Sequence, residues 1–187
     1  MSIQTIRDQL PEYAKDTKLN LGKLVSGDDV DGLSVNQAYG VALASAYATK
    51  HDDIIAAVSA QVADTLSDEE VNAAKAAATI MGMNNVYYRF VHLSSDKEYA
   101  KMPAGLRMNV IGNPGIEKVD FELYSLAVSA INGCGMCIDA HVHEVVKGGI
   151  SKQGVQSSIR IASVLTAAAQ ALIIESSQPS TNAVQAA

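Results

Sequence analysis

Two helix-start signals, each set before a long alanine-rich run, constrain this chain more than any other feature. Ser34 and Gln37 open SVNQAYGVALASAYATK, and Ser67 and Glu70 open SDEEVNAAKAAATIMGMNNVYYRF. In this S-x-x-Q/E pattern each member of the pair can bond a free backbone N–H of the first helical turn. Alanine, the strongest intrinsic helix former, is abundant in the residues after each pair. The pattern predicts a helix from about 35 to 50, a continuation of the same period through HDDIIAAVSAQVADTL, and a further helix from the second box onward.

The rest of the chain agrees with helices. Ile3, Ile6, Leu10 and Tyr13 fall at helical spacing, which predicts short helices over 3–15 and 19–24 joined by a polar turn at Lys15, Asp16, Thr17 and Lys18. Residues 94–118 hold Pro103, Pro114 and several glycines without a sustained period, and read as one long irregular connection. Helical spacing resumes in DFELYSLAVSAIN, in NGCGMCIDAHVHE and in SKQGVQSSIRIASVLTAAAQALIIE, and the tail from 176 to 187 is expected to be flexible. No run of alternating β-branched residues reads as a strand, so the expected fold class is all-α. Only 5% of residues are aromatic, so the core of this single 187-residue domain must come largely from Ala, Val, Ile and Leu.

The chain also echoes itself. ELYSLAVSAI at 122–131 resembles QAYGVALASA at 37–46, and ISKQGVQSSIRIASVL at 150–165 resembles LSDEEVNAAKAAATIM at 66–81. Two related helical halves, about 33–93 and 119–175, are expected. Only the second carries cysteine.

A formal net charge of −6, with no run of Lys and Arg, argues against a nucleic-acid partner. The N-terminal MSIQTIRDQL lacks the basic and apolar regions of a secretory signal, and ASVLTAAAQALII at 162–174 is short for a bilayer, so no membrane association and a cytoplasmic location are expected. Two cysteines in a reducing compartment point to a transient, catalytic disulfide and not to a structural staple.

Both cysteines stand in NGCGMCIDAHVHE. On a helix, Cys134, Cys137 and His141 succeed one another at spacings of three and four and share a face. Asn132-Gly133 can break the preceding helix and leave Cys134 near a helix N-terminus, where unpaired N–H groups and the helix dipole favour a thiolate. His141 can take the Cys137 proton directly or through one water. A poised thiolate with a second thiol in reach suits reduction of a peroxide or disulfide, one sulfur attacking and the other resolving. Two buried small hydrophobes is a blander reading of the pair, which the polar His141 on the same face opposes. Structural zinc on Cys134, Cys137, His141 and His143 is the sharper rival, but His143 points far around the helix from His141. By pattern alone Glu122 is a first-turn acid facing the helix dipole. Met136 and the methionines of TIMGMNN read as packing, Tyr87 and Tyr88 as half-buried packing, and His51 and His92 as solvated or core residues.

The constellation Glu122-x11-Cys134-x2-Cys137-x3-His141 resembles the active-site signature of the AhpD family, in the carboxymuconolactone decarboxylase-like superfamily. The LNLGKL stretch and the MPAGLRMNVIGNPG connection extend the likeness over nearly the whole chain. The resemblance implies an all-helical protomer assembled as a homotrimer, and a thiol peroxidase with no bound cofactor or metal. It implies dihydrolipoamide as reducing co-substrate, supplied by dihydrolipoamide acyltransferase and dihydrolipoamide dehydrogenase, and the peroxiredoxin AhpC as partner. Carried over by position, Cys137 forms the sulfenic acid, Cys134 donates a proton and resolves it, and Glu122 and His141 complete the proton relay. Some members carry histidine where this chain has Met136, so a relay through that position would need water or His143 instead. The rival functions are a thiol-disulfide adaptor that mainly reduces a peroxiredoxin, a cofactor-free decarboxylase of lactone acids, and a zinc-stabilised helical module.

Overall fold

A computed structural model describes residues 1–25 and 30–177, among which there are helices and no strand. The α-helices are α1 (Ile3–Gln9), α2 (Lys15–Leu24), α3 (Val35–Thr49), α4 (Asp52–Val62), α5 (Asp68–Leu93), α6 (Asn109–Gly112), α7 (Lys118–Ile131), α8 (Gly135–Lys147) and α9 (Lys152–Ser176). The fold is all-α. Most of the tail expected to be flexible, from residue 178 onward, lies outside the described residues.

Both capping boxes form. The Ser34 hydroxyl accepts from the Gln37 N–H while Gln37 Oε1 accepts from the Ser34 N–H, and Ser67 and Glu70 repeat the exchange. The same caps then tie helices together. Gln37 Nε2 donates to Asp120 Oδ1 of α7 at 2.8 Å, and Asn36 Nδ2 donates to Glu70 Oε1 of α5 at 2.9 Å. One cluster of polar side chains therefore sets the starts of α3, α5 and α7 side by side.

Three sequence expectations are corrected. The first helical break lies at Leu10-Pro11 and not at 15–18, because proline pushes its predecessor out of the helical region and Leu10 is extended (φ −70°, ψ 125°). Lys15–Lys18 is instead the first turn of α2, and Tyr13, in a 3-10 turn (Glu12–Ala14), is exposed and donates to Glu175 Oε1. The connection from 94 to 118 holds a 3-10 turn (Lys97–Lys101), started by Asp96 accepting from the Glu98 N–H, and the one-turn α6. The late apolar stretch belongs to a helix of 25 residues, long and apolar enough to cross a membrane. Its buried Ile161, Leu165, Ala168 and Leu172 form one stripe, and it packs against α2, α3 and α7 as a core helix.

The centre is made by α3 and α7. Every residue from 38 to 46 and from 121 to 129 is buried, so each helix is enclosed on all sides, α3 by α4, α5, α7 and α9, and α7 by α3, α5, α8 and α9. The α3 stretch is mostly Ala, Gly and Ser, which lets α7, with its larger Phe121, Leu123, Tyr124 and Leu126, approach closely. At one point even alanine is too large. A Cβ on Gly40 would overlap the ring of Tyr124, a fully enclosed aromatic on α7. Burial, reinforced by the Asp120 and Glu70 carboxylates, holds the Tyr124 phenol far above its ordinary value, so the group stays neutral.

Gly40→Ala is expected to cost about 3 kcal/mol or more through overpacking. Gly82→Ala, at an exposed position of α5 with open space around it, should be neutral or stabilising by up to about 1 kcal/mol. Denaturant midpoints of the two variants measure the contrast. A second expectation concerns Asp120, whose carboxyl is held above its ordinary value of 3.8 mainly by burial and further by Glu70 and Glu117, with the Gln37 hydrogen bond opposing. The folded state then binds the proton more tightly than the unfolded chain, so stability falls as pH rises from 3.8 through the higher folded value. Asp120→Asn, which keeps an oxygen for Gln37, should raise the melting temperature at pH 7 and lose that advantage below pH 3.8.

Candidate active site

Helix α7 stops in a tight C-terminal motif that immediately starts α8. Gly133 takes a positive φ of 67°, its N–H bonds the Ala130 carbonyl, and the Cys134 N–H bonds the Ser129 carbonyl. Only glycine adopts that conformation without strain. The next residue, Cys134, is already the N-cap of α8, and its Sγ accepts from the Cys137 N–H at 3.3 Å. The break read at Asn132-Gly133 thus falls where the chain turns.

Cys134 and Cys137 are joined as a disulfide across the first turn of α8, with Cα atoms 5.3 Å apart. The two sulfurs differ in access. Cys134 is fully buried, whereas Cys137 keeps 7% of its surface and faces a pocket of about 270 Å³. His141, one turn beyond Cys137, lines the same pocket.

Glu122 is not the first-turn acid that its pattern alone suggests. It lies in the second turn of α7, 5% exposed, with Oε2 2.6 Å from His141 Nδ1. The short charge-assisted contact fixes the ring and leaves Nε2 on the pocket side. Nε2 lies 3.2 Å from Met81 Sδ of α5, so both ring nitrogens face groups that accept a hydrogen. Three helices meet here: α7 brings the carboxylate, α8 the imidazole and sulfurs, and α5 the thioether.

The remaining pocket wall departs from the packing roles read for these residues. Met81 touches the imidazole, and Tyr88 and Met136 line the cavity beside Met108 and Ile111 of the connection. Met136 is on the wall and outside the Glu122–His141 contact. Tyr87 stays a packing residue, edge-on to Tyr88 with centroids 5.2 Å apart. His143, with a side chain 74% exposed, lies 3.9 Å from Glu144 and is not among the residues that line the pocket with Cys137 and His141. His92 is exposed, and His51 is the N-cap of α4 with a buried Nδ1 that has no hydrogen-bond partner among the described residues.

Sequence reasoning missed the part played by α5. Asn85 donates to Ser129 Oγ at 2.9 Å and accepts from Asn132 Nδ2 at 2.9 Å, while Arg89 Nη1 donates to the Asn132 carbonyl at 2.6 Å. These contacts clamp the turn that presents Cys134. The available signal was Asn84-Asn85 in mid-helix, where asparagine is disfavoured, with Met81 and Tyr88 one turn to either side.

The profile of the carboxymuconolactone decarboxylase family matches residues 97–174. A Coxiella burnetii protein named alkyl hydroperoxide reductase AhpD is 57% identical over 173 residues, covering 92% of this chain and 98% of its own length. Proteins of the same name from Rhodospirillum centenum and Maricaulis maris are 53% and 54% identical, each over 94% of this chain and over 92% and 100% of their own. The chain belongs to the AhpD family. The matched profile covers the part of this AhpD-family chain that holds Glu122, Cys134, Cys137 and His141, and leaves Met81, Asn84 and Asn85 outside it.

Asn85→Ala would leave Ser129 and Asn132 without their buried partner. It is expected to cost about 2 kcal/mol and to speed amide exchange at Gly133 and Cys134. A thermal melt with residue-resolved hydrogen exchange checks both.

Proposed function

We propose that this chain is a thiol peroxidase that reduces alkyl hydroperoxides through Cys137 and Cys134. The observation that carries the reading is the asymmetric sulfur pair: Cys137 opens on an apolar pocket shared with a carboxylate-held imidazole, and Cys134 lies buried behind it. The shared name of the AhpD relatives supports the substrate class.

In the reduced enzyme the Cys137 proton passes to His141 Nε2, directly or through a pocket water, while Glu122 holds Nδ1 and steadies the charged ring. The Cys137 thiolate attacks the terminal peroxide oxygen. The O–O bond breaks, sulfur is oxidised to the sulfenic acid, and the alkoxide takes a proton and leaves as the alcohol. The Cys134 thiol then attacks Cys137 sulfur, water departs, and the disulfide forms. Dihydrolipoamide returns the two electrons by thiol-disulfide exchange, itself becoming lipoamide.

The same reading makes dihydrolipoamide acyltransferase and dihydrolipoamide dehydrogenase the source of reductant and the peroxiredoxin AhpC a partner, with the protein working as a cytoplasmic homotrimer. Its co-substrate is dihydrolipoamide, and it needs no bound cofactor.

The test is hydroperoxide consumption by purified protein with dihydrolipoamide, dihydrolipoamide dehydrogenase and NADH. NADH oxidation is expected with wild type and should fall at least 100-fold in both Cys137→Ser and Cys134→Ser. Oxidation only after a peroxiredoxin is added would replace the reading with a thiol-disulfide adaptor. Activity on a lactone acid that survives Cys134→Ser would replace it with a decarboxylase.

A further inference from the structure

The pocket beside Cys137 is walled by thioethers, aliphatic side chains and a tyrosine, with one polar exception that the relay does not use. Asn84, on α5 one turn beyond Met81, lines this pocket and is 4% exposed. Its Oδ1 is buried and has no hydrogen-bond partner among the described residues, in contrast to the adjacent Asn85, whose carboxamide is bonded at both ends. An unpaired carboxamide in such a place destabilises the fold, and a leucine of similar size would not. A polar group kept in an apolar cavity next to a reactive sulfur, at a cost to stability, is placed for a ligand that enters the cavity.

We propose that Asn84 is the hydroperoxide-binding residue of this site, an inference that rests on the peroxidase reading above. Its Nδ2 donates to the peroxide oxygen that leaves as alkoxide, and rotation of the carboxamide presents Oδ1 instead to the peroxide O–H. Either contact turns the terminal oxygen toward Cys137 while the apolar walls take the alkyl group. Asn84 moves no proton and no electrons. The bonds made and broken are those of thiolate attack: S–O forms, O–O breaks, and the alcohol departs. The ligand class that fits is a hydroperoxide with an apolar substituent, because hydrogen peroxide would meet the carboxamide and leave the walls uncovered.

Asn84→Leu separates substrate binding from a structural role. In single-turnover reaction of the pre-reduced protein with tert-butyl hydroperoxide, the second-order rate constant is expected to fall at least tenfold. Alkylation of Cys137 by iodoacetamide should stay within twofold of wild type, and the melting temperature should rise. An unchanged peroxide rate overturns the assignment, as does an equal loss in both reactions or a lower melting temperature, each marking Asn84 as a support for the fold or the thiol. If wild type itself consumes no hydroperoxide while dihydrolipoamide still reduces its disulfide, the peroxidase reading falls and Asn84's role falls with it. Wild-type turnover beside an unaffected variant removes the Asn84 assignment alone.

Discussion

The close crossing of α3 and α7 is the contact on which the rest of the molecule depends. Two helices that are buried on every side can cross this closely only if one of them gives up a side chain, and Gly40 does so beneath Tyr124. With α7 held at the centre, Glu122 is carried into the interior, where a charged group persists only with a partner, and His141 supplies that partner. The end of α7 then places Cys134. A packing constraint in the first half of the chain thereby fixes the electrostatics of the second.

The helical class and the start of nearly every main helix were legible because caps and alanine-rich periodicity are local. Ser34, Ser67 and Gly133 act within a few residues of themselves, and the structure finds each doing what its pattern predicts. The N-terminal break was misplaced because helical spacing from Ile3 to Tyr13 was weighed above Pro11, which removes a backbone donor. The site was only half legible. Cys134, Cys137 and His141 lie within two turns of one helix, so their spacing announces their proximity, but Glu122 meets His141 across a helix pair, and spacing gives no sign of that. Met81 and Asn85 come from still farther along the chain, and nothing local distinguishes a methionine against an imidazole from one in the core.

The two helical trios have similar lengths. α3, α4 and α5 have 15, 11 and 26 residues, and α7, α8 and α9 have 14, 13 and 25. Counted from their helix starts, Cys137 and His141 stand where α4 has Ile54 and Val58, both fully buried, while in the ELYSLAVSAI–QAYGVALASA correspondence Glu122 matches Gln37. Cys137 and His141 occupy what are packing positions in the first trio. Burial of the imidazole goes with that placement, and the N-cap occupied by His51 in α4 is occupied by a sulfur in α8.

The unequal burial of the two sulfurs has a kinetic meaning. Cys134 has no exposed surface, so whatever exchanges electrons with this disulfide must do so at Cys137, through one opening. Oxidant and reductant cannot occupy that opening together. On the thiol-peroxidase reading proposed above, turnover therefore alternates in a ping-pong sequence, each substrate in excess obstructing the other. When a reductant does arrive, the sulfur it displaces is Cys134, which leaves as a thiolate onto the N–H of Cys137 at the start of α8, where an anion is best received.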